Sequence, residues 1–167
     1  MKKIFETNRL ILRELSQNDV DGLFELFSNH EAMRYLPGTK SRNEVVQWLA
    51  LAFESYQTMN FGPLAVILKR SNEFLGYCGL YRQKDVDGKD EIEILYGLIR
   101  RYWGMGYATE AAIGFYQYGK AELKISSFIS LIAPGNLRSM KVAKSVGMKF
   151  EKEIQMWGNQ YHMYSII

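Results

Sequence analysis

The sequence predicts a mixed α/β fold, a central and mostly antiparallel sheet with helices on both faces. Three observations carry this expectation. Apolar stripes at helical spacing and β-rich runs both recur along the chain. Two turn signals, Ser71-Asn72 and Asp87-Gly88, divide three consecutive β-rich runs into an antiparallel meander. Later β-rich runs alternate with helical stretches, giving the order βαα-βββ-αβ-αβ-β.

NRLILREL (8–15) alternates Leu10 and Leu12 with Ile11 and Arg13 and reads as the first strand. Ser16 with Asp19 resembles a capping box. Val20, Leu23, Phe24 and Phe27 follow at helical spacing, for a first helix of about three turns. Pro37-Gly38 breaks the chain. Ser41 and Glu44 form a second capping box, and Val45, Trp48, Leu49, Ala52, Phe53 and Tyr56 then make one apolar stripe, the second helix. GPLAVILK (62–69), EFLGYCGLYR (73–82) and EIEILYGLI (91–99) are the meander strands. A helix is expected from Gly104 to about Leu123, with Ala108, Ala111, Ala112, Phe115 and Leu123 inward. SSFISLIA (126–133) reads as a strand, and NLRSMKVAKSV (136–146) as a helix stopped by Gly147. MKFEKEIQMW and QYHMYSII complete a hairpin around Gly158-Asn159. With no repeat, linker or low-complexity tract, a single domain over 1–167 is expected.

Composition bounds the function. Hydrophobic residues make up 47% and charged residues 23%, an ordinary globular balance. No apolar run approaches the roughly 20 residues of a membrane span. MKKIFETNRL lacks the apolar stretch of a secretory signal. Cys78 is the only cysteine, so no internal disulfide forms and a cytoplasmic setting is the default. A net charge of +3 admits an anionic ligand but is no nucleic-acid footprint. His30 and His162 lack metal-ligand company, and no metal is expected.

RRYWGMGYATEA (100–111) holds the strongest chemical signal, a Gly-Met-Gly directly after a strand and opening a helix. The plain reading is a loop using glycine for tight turns. A dinucleotide fingerprint fails, because Thr109 stands at the third glycine position and the preceding strand belongs to a meander. No G-x-x-x-x-G-K-[ST] is present, which excludes a P-loop. The remaining reading is a pyrophosphate cradle. Unpaired N–H groups and the positive dipole end of a helix suit phosphate oxygens, and a Cβ at 104 or 106 would hold those oxygens away. Arg101 would add a cation.

R-x-x-G-x-G followed by YATEA resembles the acetyl-CoA signature of the GNAT N-acetyltransferases. N136-L-R-S139 with G147-M-K-F150 is similar to that family's later helix and strand. TNRLILREL at the start and a closing G-x-x-x-x-x-Y-S segment most resemble the RimJ/RimL-like, ribosomal-protein branch. The resemblance spans nearly the whole chain. It implies the acyl-CoA N-acyltransferase fold, with the fourth and fifth strands splayed around the pantetheine arm. It also implies acetyl transfer from acetyl-CoA to an amine, without metal. Cofactor contacts are then expected from Leu98, Ile99, Arg101, Trp103, Gly104, Met105, Gly106, Tyr107, Ala108, Thr109, Asn136 and Ser139.

Glu93 lies on a strand expected to be central, where an unpaired carboxylate is costly. It is either a strand-end residue, solvated or paired with a lysine, or the general base of the resemblance, with Glu91 as fallback. Backbone N–H groups around Tyr96 to Leu98 would meet the developing oxyanion. Asn136 caps its helix and, by resemblance, contacts the pantetheine, while Ser139 lies near the thiol. The tyrosine often found seven residues after that asparagine is Ala143 here, leaving Ser139 as the substitute acid. Arg138, Lys141 and Lys144 either meet the 3′-phosphate or are simply solvated. Cys78 reads as a small core residue. Trp48, Phe53 and Tyr56 read as core beside the acceptor cleft. His162 falls where relatives of this branch often carry an aspartate. The expected protein is a monomer or homodimer with no nucleic-acid or membrane partner. The competing classes are a CoA-binding regulatory module without turnover and a generic nucleotide-binding α/β protein. The amine acceptor is not legible.

Overall fold

The computed structural model describes residues 2–167. Eight strands form one sheet: β1 (Lys3–Glu6), β2 (Leu10–Glu14), β3 (Pro63–Leu68), β4 (Phe74–Val86), β5 (Lys89–Leu98), β6 (Phe128–Ile132), β7 (Lys149–Met156) and β8 (Asn159–Ile166). The helices are α1 (Val20–Phe27), α2 (Arg42–Met59), α3 (Tyr107–Ala121) and α4 (Leu137–Val146). The spatial order is β1-β2-β3-β4-β5-β6-β8-β7. Every described pairing is antiparallel except that of β5 with β6. The mixed α/β expectation holds.

Local chemistry explains most boundaries. Ser41 accepts the Glu44 N–H while the Glu44 carboxylate accepts the Ser41 N–H, so α2 starts with a complete capping box. Asp87 and Gly88 carry φ of 51° and 84°, the left-handed pair that a two-residue hairpin turn needs between Val86 and Lys89.

Four expectations need correction. A strand at 3–6 precedes the expected first one. KIFE is too short to show alternation, and it is held by tertiary contacts: the Phe5 ring lies 5.0 Å from both Phe115 and Tyr118 of α3. The first helix is shorter than expected, eight residues behind a 3₁₀ turn at Gln17–Asp19. Residues 104–106 are loop, and α3 begins only at Tyr107. The last turn is Trp157-Gly158, because Met156 already pairs with Asn159.

Tyr77 and Leu80, three positions apart on β4, serve opposite faces. The Tyr77 ring packs against Phe27 of α1 and Trp48 of α2, at 5.6 and 4.9 Å. Leu80 packs on the other face, against α3 at Gly119. Helices therefore cover both faces, as expected.

Asp19 anchors the start of α1. Its carboxylate accepts from both terminal nitrogens of Arg13, at 2.7 and 2.8 Å, and from the Ser16 N–H at 2.7 Å, and it is only 5% exposed. Breaking a buried pair leaves an uncompensated charge. Asp19→Ala is expected to cost about 3 kcal/mol of unfolding free energy, read from urea denaturation.

Candidate active site

The glycine loop follows β5 through a 3₁₀ turn at Arg100–Tyr102. Gly104 and Gly106 have φ of 75° and 80°, a backbone that side-chain-bearing residues rarely adopt. A Cβ at Gly104 would meet nothing within 4 Å, so the loop is open there. Among the described residues, none of the main-chain N–H groups from Gly104 to Thr109 donates to a protein acceptor. The flanking N–H groups do: that of Trp103 reaches the Arg100 carbonyl at 3.2 Å, and that of Glu110 the Gly106 carbonyl at 3.0 Å. A continuous run of free donors at the positive end of α3 fits a pyrophosphate. Met105 is exposed, Ala108 and Thr109 are half-buried, and Leu98, Ile99 and Tyr107 are buried at the base of the loop. The Trp103 indole donates to the Leu98 carbonyl at 2.8 Å, tying the loop back to β5.

Arg101 does not stand over the loop as expected. Its guanidinium pairs with Glu25 of α1 and lies over the Tyr102 ring. The fold brings a carboxylate of α1 within reach of this cation. The arginine that does reach the loop is Arg9: Nη1 donates to the Met105 carbonyl at 2.9 Å, and the guanidinium lies 4.5 Å above the Tyr107 ring. No local spacing connects residue 9 with residue 105, and only a search for an arginine partner to Glu110 would have pointed to it.

The second element is the parting of β5 from β6. The strands pair at one position, Glu93 opposite Ile129. Beyond it, side chains replace the backbone ladder. Glu93 Oε1 accepts the Leu131 N–H at 3.1 Å, and Ser130 Oγ donates to the Ile94 carbonyl at 3.0 Å. Glu93 Oε2 accepts from Gln83 Nε2 at 2.6 Å. The Ile99 N–H donates to Leu75 on the β4 side, so by strand alternation the N–H groups of Tyr96 and Leu98 face the gap. Gly97 sits between them because a Cβ there would lie 2.7 Å from the Tyr77 ring.

Glu93 is thus neither a solvated strand-end carboxylate nor a lysine's partner. It is 9% exposed, and no described cation pairs with it. Burial pushes its carboxyl above the ordinary range, against the hydrogen bonds from Gln83 and Leu131. Glu91 is half-buried two residues earlier, with its backbone opposite Gln83.

The third element is the start of α4. Asn136 is the N-cap, its Oδ1 accepting the Ser139 N–H at 3.3 Å. The Tyr96 hydroxyl reaches across from β5 and donates to the Ser139 carbonyl at 3.2 Å. Burial pushes this phenol above its ordinary range. Ala143 is buried and offers no acid. Arg138 lies 4.5 Å over the Trp103 ring, and Arg100 lies 4.8 Å over the same ring. Lys141 and Lys144 line the exposed side of α4 with Leu137, Met140 and Ser145. The glycine loop, the gap and the α4 cap are therefore joined by Trp103 and Tyr96.

Cys78 is fully buried, and burial raises its thiol far above the range in which a thiolate forms. Trp48 and Phe53 are half-buried against the core. Tyr56 is held by the Leu15 N–H and the Pro63 carbonyl. His30 is exposed, and His162 faces Glu153 at 3.4 Å. No group of three metal-ligating side chains occurs among the described residues.

The mixed sheet parted beside a glycine loop of free donors matches the architecture that the sequence resemblance implies. Residues 9–149 match the profile of the acetyltransferase (GNAT) domain, and the chain belongs to that family. The chain is similar to the uncharacterized protein YkkB of Bacillus subtilis (strain 168), 33% identical over 95% of this chain and 92% of that one. It is also similar to the uncharacterized N-acetyltransferase p20 of Bacillus licheniformis, 30% identical over 88% of this chain and 82% of that one. Its fold is shared with RimL, a ribosomal α-N-protein acetyltransferase solved in complex with coenzyme A. That match has a TM-score of 0.82 at 18% identity, over 99% of this chain and 98% of the other.

Glu93 makes stability depend on pH in a definite direction. Its folded-state pKa lies above the unfolded value of about 4.3, so the folded protein binds more protons between the two values. Stability should therefore fall as pH rises through that window. Glu93→Gln removes the titration, and its melting temperature relative to wild type is expected to be higher at pH 8 than at pH 4. Thermal unfolding at the two pH values reads the sign.

Proposed function

We propose that this chain, acting as one domain, transfers an acetyl group from acetyl-CoA to a primary amine by direct attack in a ternary complex. The observation that carries the cofactor reading is the run of free N–H groups at 104–109 behind two left-handed glycines. When bound, the coenzyme supplies an acetyl group activated as a thioester. The glycine loop and first turn of α3 hold its pyrophosphate, and Leu98, Ile99 and Trp103 wall the path beside it. Asn136 and Ser139 hold the arm at α4. The N–H groups of Tyr96 and Leu98 hold the acetyl carbonyl oxygen.

The chain must also supply a neutral amine. At pH 7 a lysine-like amine with a pKa of about 10.4 is neutral in roughly one molecule per few thousand, and an α-amine near 7.8 in roughly one in seven. Glu93 takes that proton, directly or through one water, and its raised pKa suits it to a base. As the amine nitrogen bonds to the acetyl carbon and the C–S bond breaks, the sulfur would leave as thiolate, of a thiol with a pKa of about 8.5, and Ser139 would assist it by hydrogen bonding. Buried Cys78 is no nucleophile, which favours direct attack over an acyl-enzyme.

The likeness to RimL supports placing the chain in the RimJ/RimL-like branch. The acceptor is then a protein α-amine, such as a ribosomal-protein N-terminus, or a small-molecule amine. The single cysteine and weak net charge support a cytoplasmic setting without a nucleic-acid partner, and the reading includes a monomer or homodimer with no membrane partner. A CoA-binding module without turnover is the second reading, favoured by the missing tyrosine at Ala143. Release of free thiol from acetyl-CoA with a panel of amines separates the two.

Gly104→Ala meets no neighbouring atom but strains a backbone at φ 75°; it is expected to fold with a modest loss of stability while weakening CoA binding at least tenfold. Calorimetric titration with CoA measures this, and unchanged affinity overturns the cradle. Glu93→Gln is expected to lower kcat/KM by roughly 10²–10⁴-fold with a lysine-like acceptor at pH 7 and by less with an α-amine peptide. The deficit should shrink as pH rises, because base in the solvent then supplies neutral amine. Parallel pH profiles for wild type and variant would instead make Glu93 only a support for the gap.

A further inference from the structure

The N-terminal strand pair reaches the glycine loop through one carboxylate and one guanidinium. Glu110, in the first turn of α3, accepts from Thr7 Oγ1 at 2.6 Å and from the Arg9 N–H at 2.7 Å through one oxygen. Its other oxygen accepts from Arg9 Nε at 2.6 Å. The Glu110 side chain is 17% exposed and that of Arg9 41%, so these charge-assisted bonds are partly shielded from solvent. The backbone that carries Arg9 is fixed in turn, since its carbonyl accepts the Lys69 N–H at 2.9 Å from the end of β3. With Nε held by Glu110, the guanidinium plane is set. Nη1 then meets the Met105 carbonyl at 2.9 Å, and the planar group lies on the Tyr107 ring.

This contact has a consequence for the loop. No cis peptide bond occurs among the described residues, and in a trans peptide the C=O and the N–H point in opposite directions. Pulling the Met105 carbonyl toward Arg9 turns the Gly106 N–H away from it. Gly106 has φ of 80° and no side chain to resist rotation of that peptide, and the bond from Arg9 is the described hydrogen bond that holds its carbonyl. A flipped peptide would present a carbonyl oxygen where the loop offers donors.

We infer that Arg9 and Glu110 together are a positioning clamp for the phosphate-binding loop, holding the Met105–Gly106 peptide with its N–H toward the pyrophosphate. This rests on the cradle reading above and adds to it two residues that do not themselves bind the phosphates. The opposing possibility is that Arg9 is a direct phosphate ligand through its free Nη2. The mobility of the Gly106 amide separates the two. If Arg9 bound phosphate directly, its loss would cost affinity and leave that amide unchanged in the ligand-free protein. If Arg9 holds the Met105 carbonyl, the amide loosens as well.

The test uses the full chain with Arg9→Met, which keeps a stem over Tyr107, together with Arg9→Lys and Glu110→Gln. Calorimetric titration with CoA is expected to show a roughly tenfold loss for Arg9→Met and a similar one for Glu110→Gln. Arg9→Lys should give little rescue, because one ammonium cannot bridge Glu110 and Met105 in the fork geometry. With acetyl-CoA and an amine, KM for acetyl-CoA should rise while kcat stays within about twofold, a split that general loss of folded protein would not produce. In the ligand-free protein, NMR relaxation of the Gly106 amide should report greater mobility in Arg9→Met than in wild type. An unchanged Gly106 amide, or Glu110→Gln binding CoA as well as wild type, overturns the clamp. Wild-type protein that ignores CoA while Gly106 loosens in Arg9→Met would leave the clamp standing and sink the cofactor reading instead.

Discussion

A carboxylate with no cation beside it holds the middle of this sheet open. Glu93 stands at the single point where β5 and β6 pair, and its two oxygens occupy a β6 N–H and a β4 side chain. An apolar residue there would leave the Leu131 N–H unpaired in the interior, where an orphaned donor costs about 1–3 kcal/mol. The gap and the carboxylate therefore depend on each other. Everything functional is arranged around that gap: β5 continues past it into the glycine loop, and β6 continues past it into the α4 cap.

In the proposed reaction the same residue supports structure and accepts a proton, and the two tasks would share one physical origin. Burial raises the carboxyl's proton affinity, while the hydrogen bonds that fill the gap restrain that rise. A lysine salt bridge would have stabilised the charge more strongly, but it would also have weakened the base. The Tyr96 phenol is treated similarly, buried and held to an α4 carbonyl, so the two sides of the gap are braced by polar groups of restrained reactivity.

How much of this was legible in the sequence follows from the range of the forces concerned. The α2 capping box, the Asp87-Gly88 turn and the Asn136 cap are settled within four residues, and their residue types announce them. The glycine loop was readable because left-handed backbone and a bare Cα have few substitutes. β1 was not readable, since four residues held by Phe115 and Tyr118 carry no periodicity of their own. The fates of Arg9 and Arg101 were hidden for a similar reason. Each arginine is claimed by a carboxylate distant in sequence, Glu110 and Glu25, and spacing along the chain says nothing about which acid the fold will bring near. Glu93 was visible as an anomaly, yet its neighbours Gln83 and Leu131 come from other strands.

The strand order β6-β8-β7 also bears on how the molecule comes together. β7 precedes β8 in the chain but has no described partner except β8, so β6 keeps a bare edge until the later strand arrives to fill the space between them. β7 itself ends as the outer strand. It is interrupted by a register shift between Phe150 and Lys152 and carries Lys149, Glu151, Lys152 and Glu153, features that discourage a neighbouring molecule from adding to the sheet. During synthesis the guarded outer strand emerges before the inner one. The half-finished sheet exposes β6, and its protection against misassembly is complete only when β8 slots in.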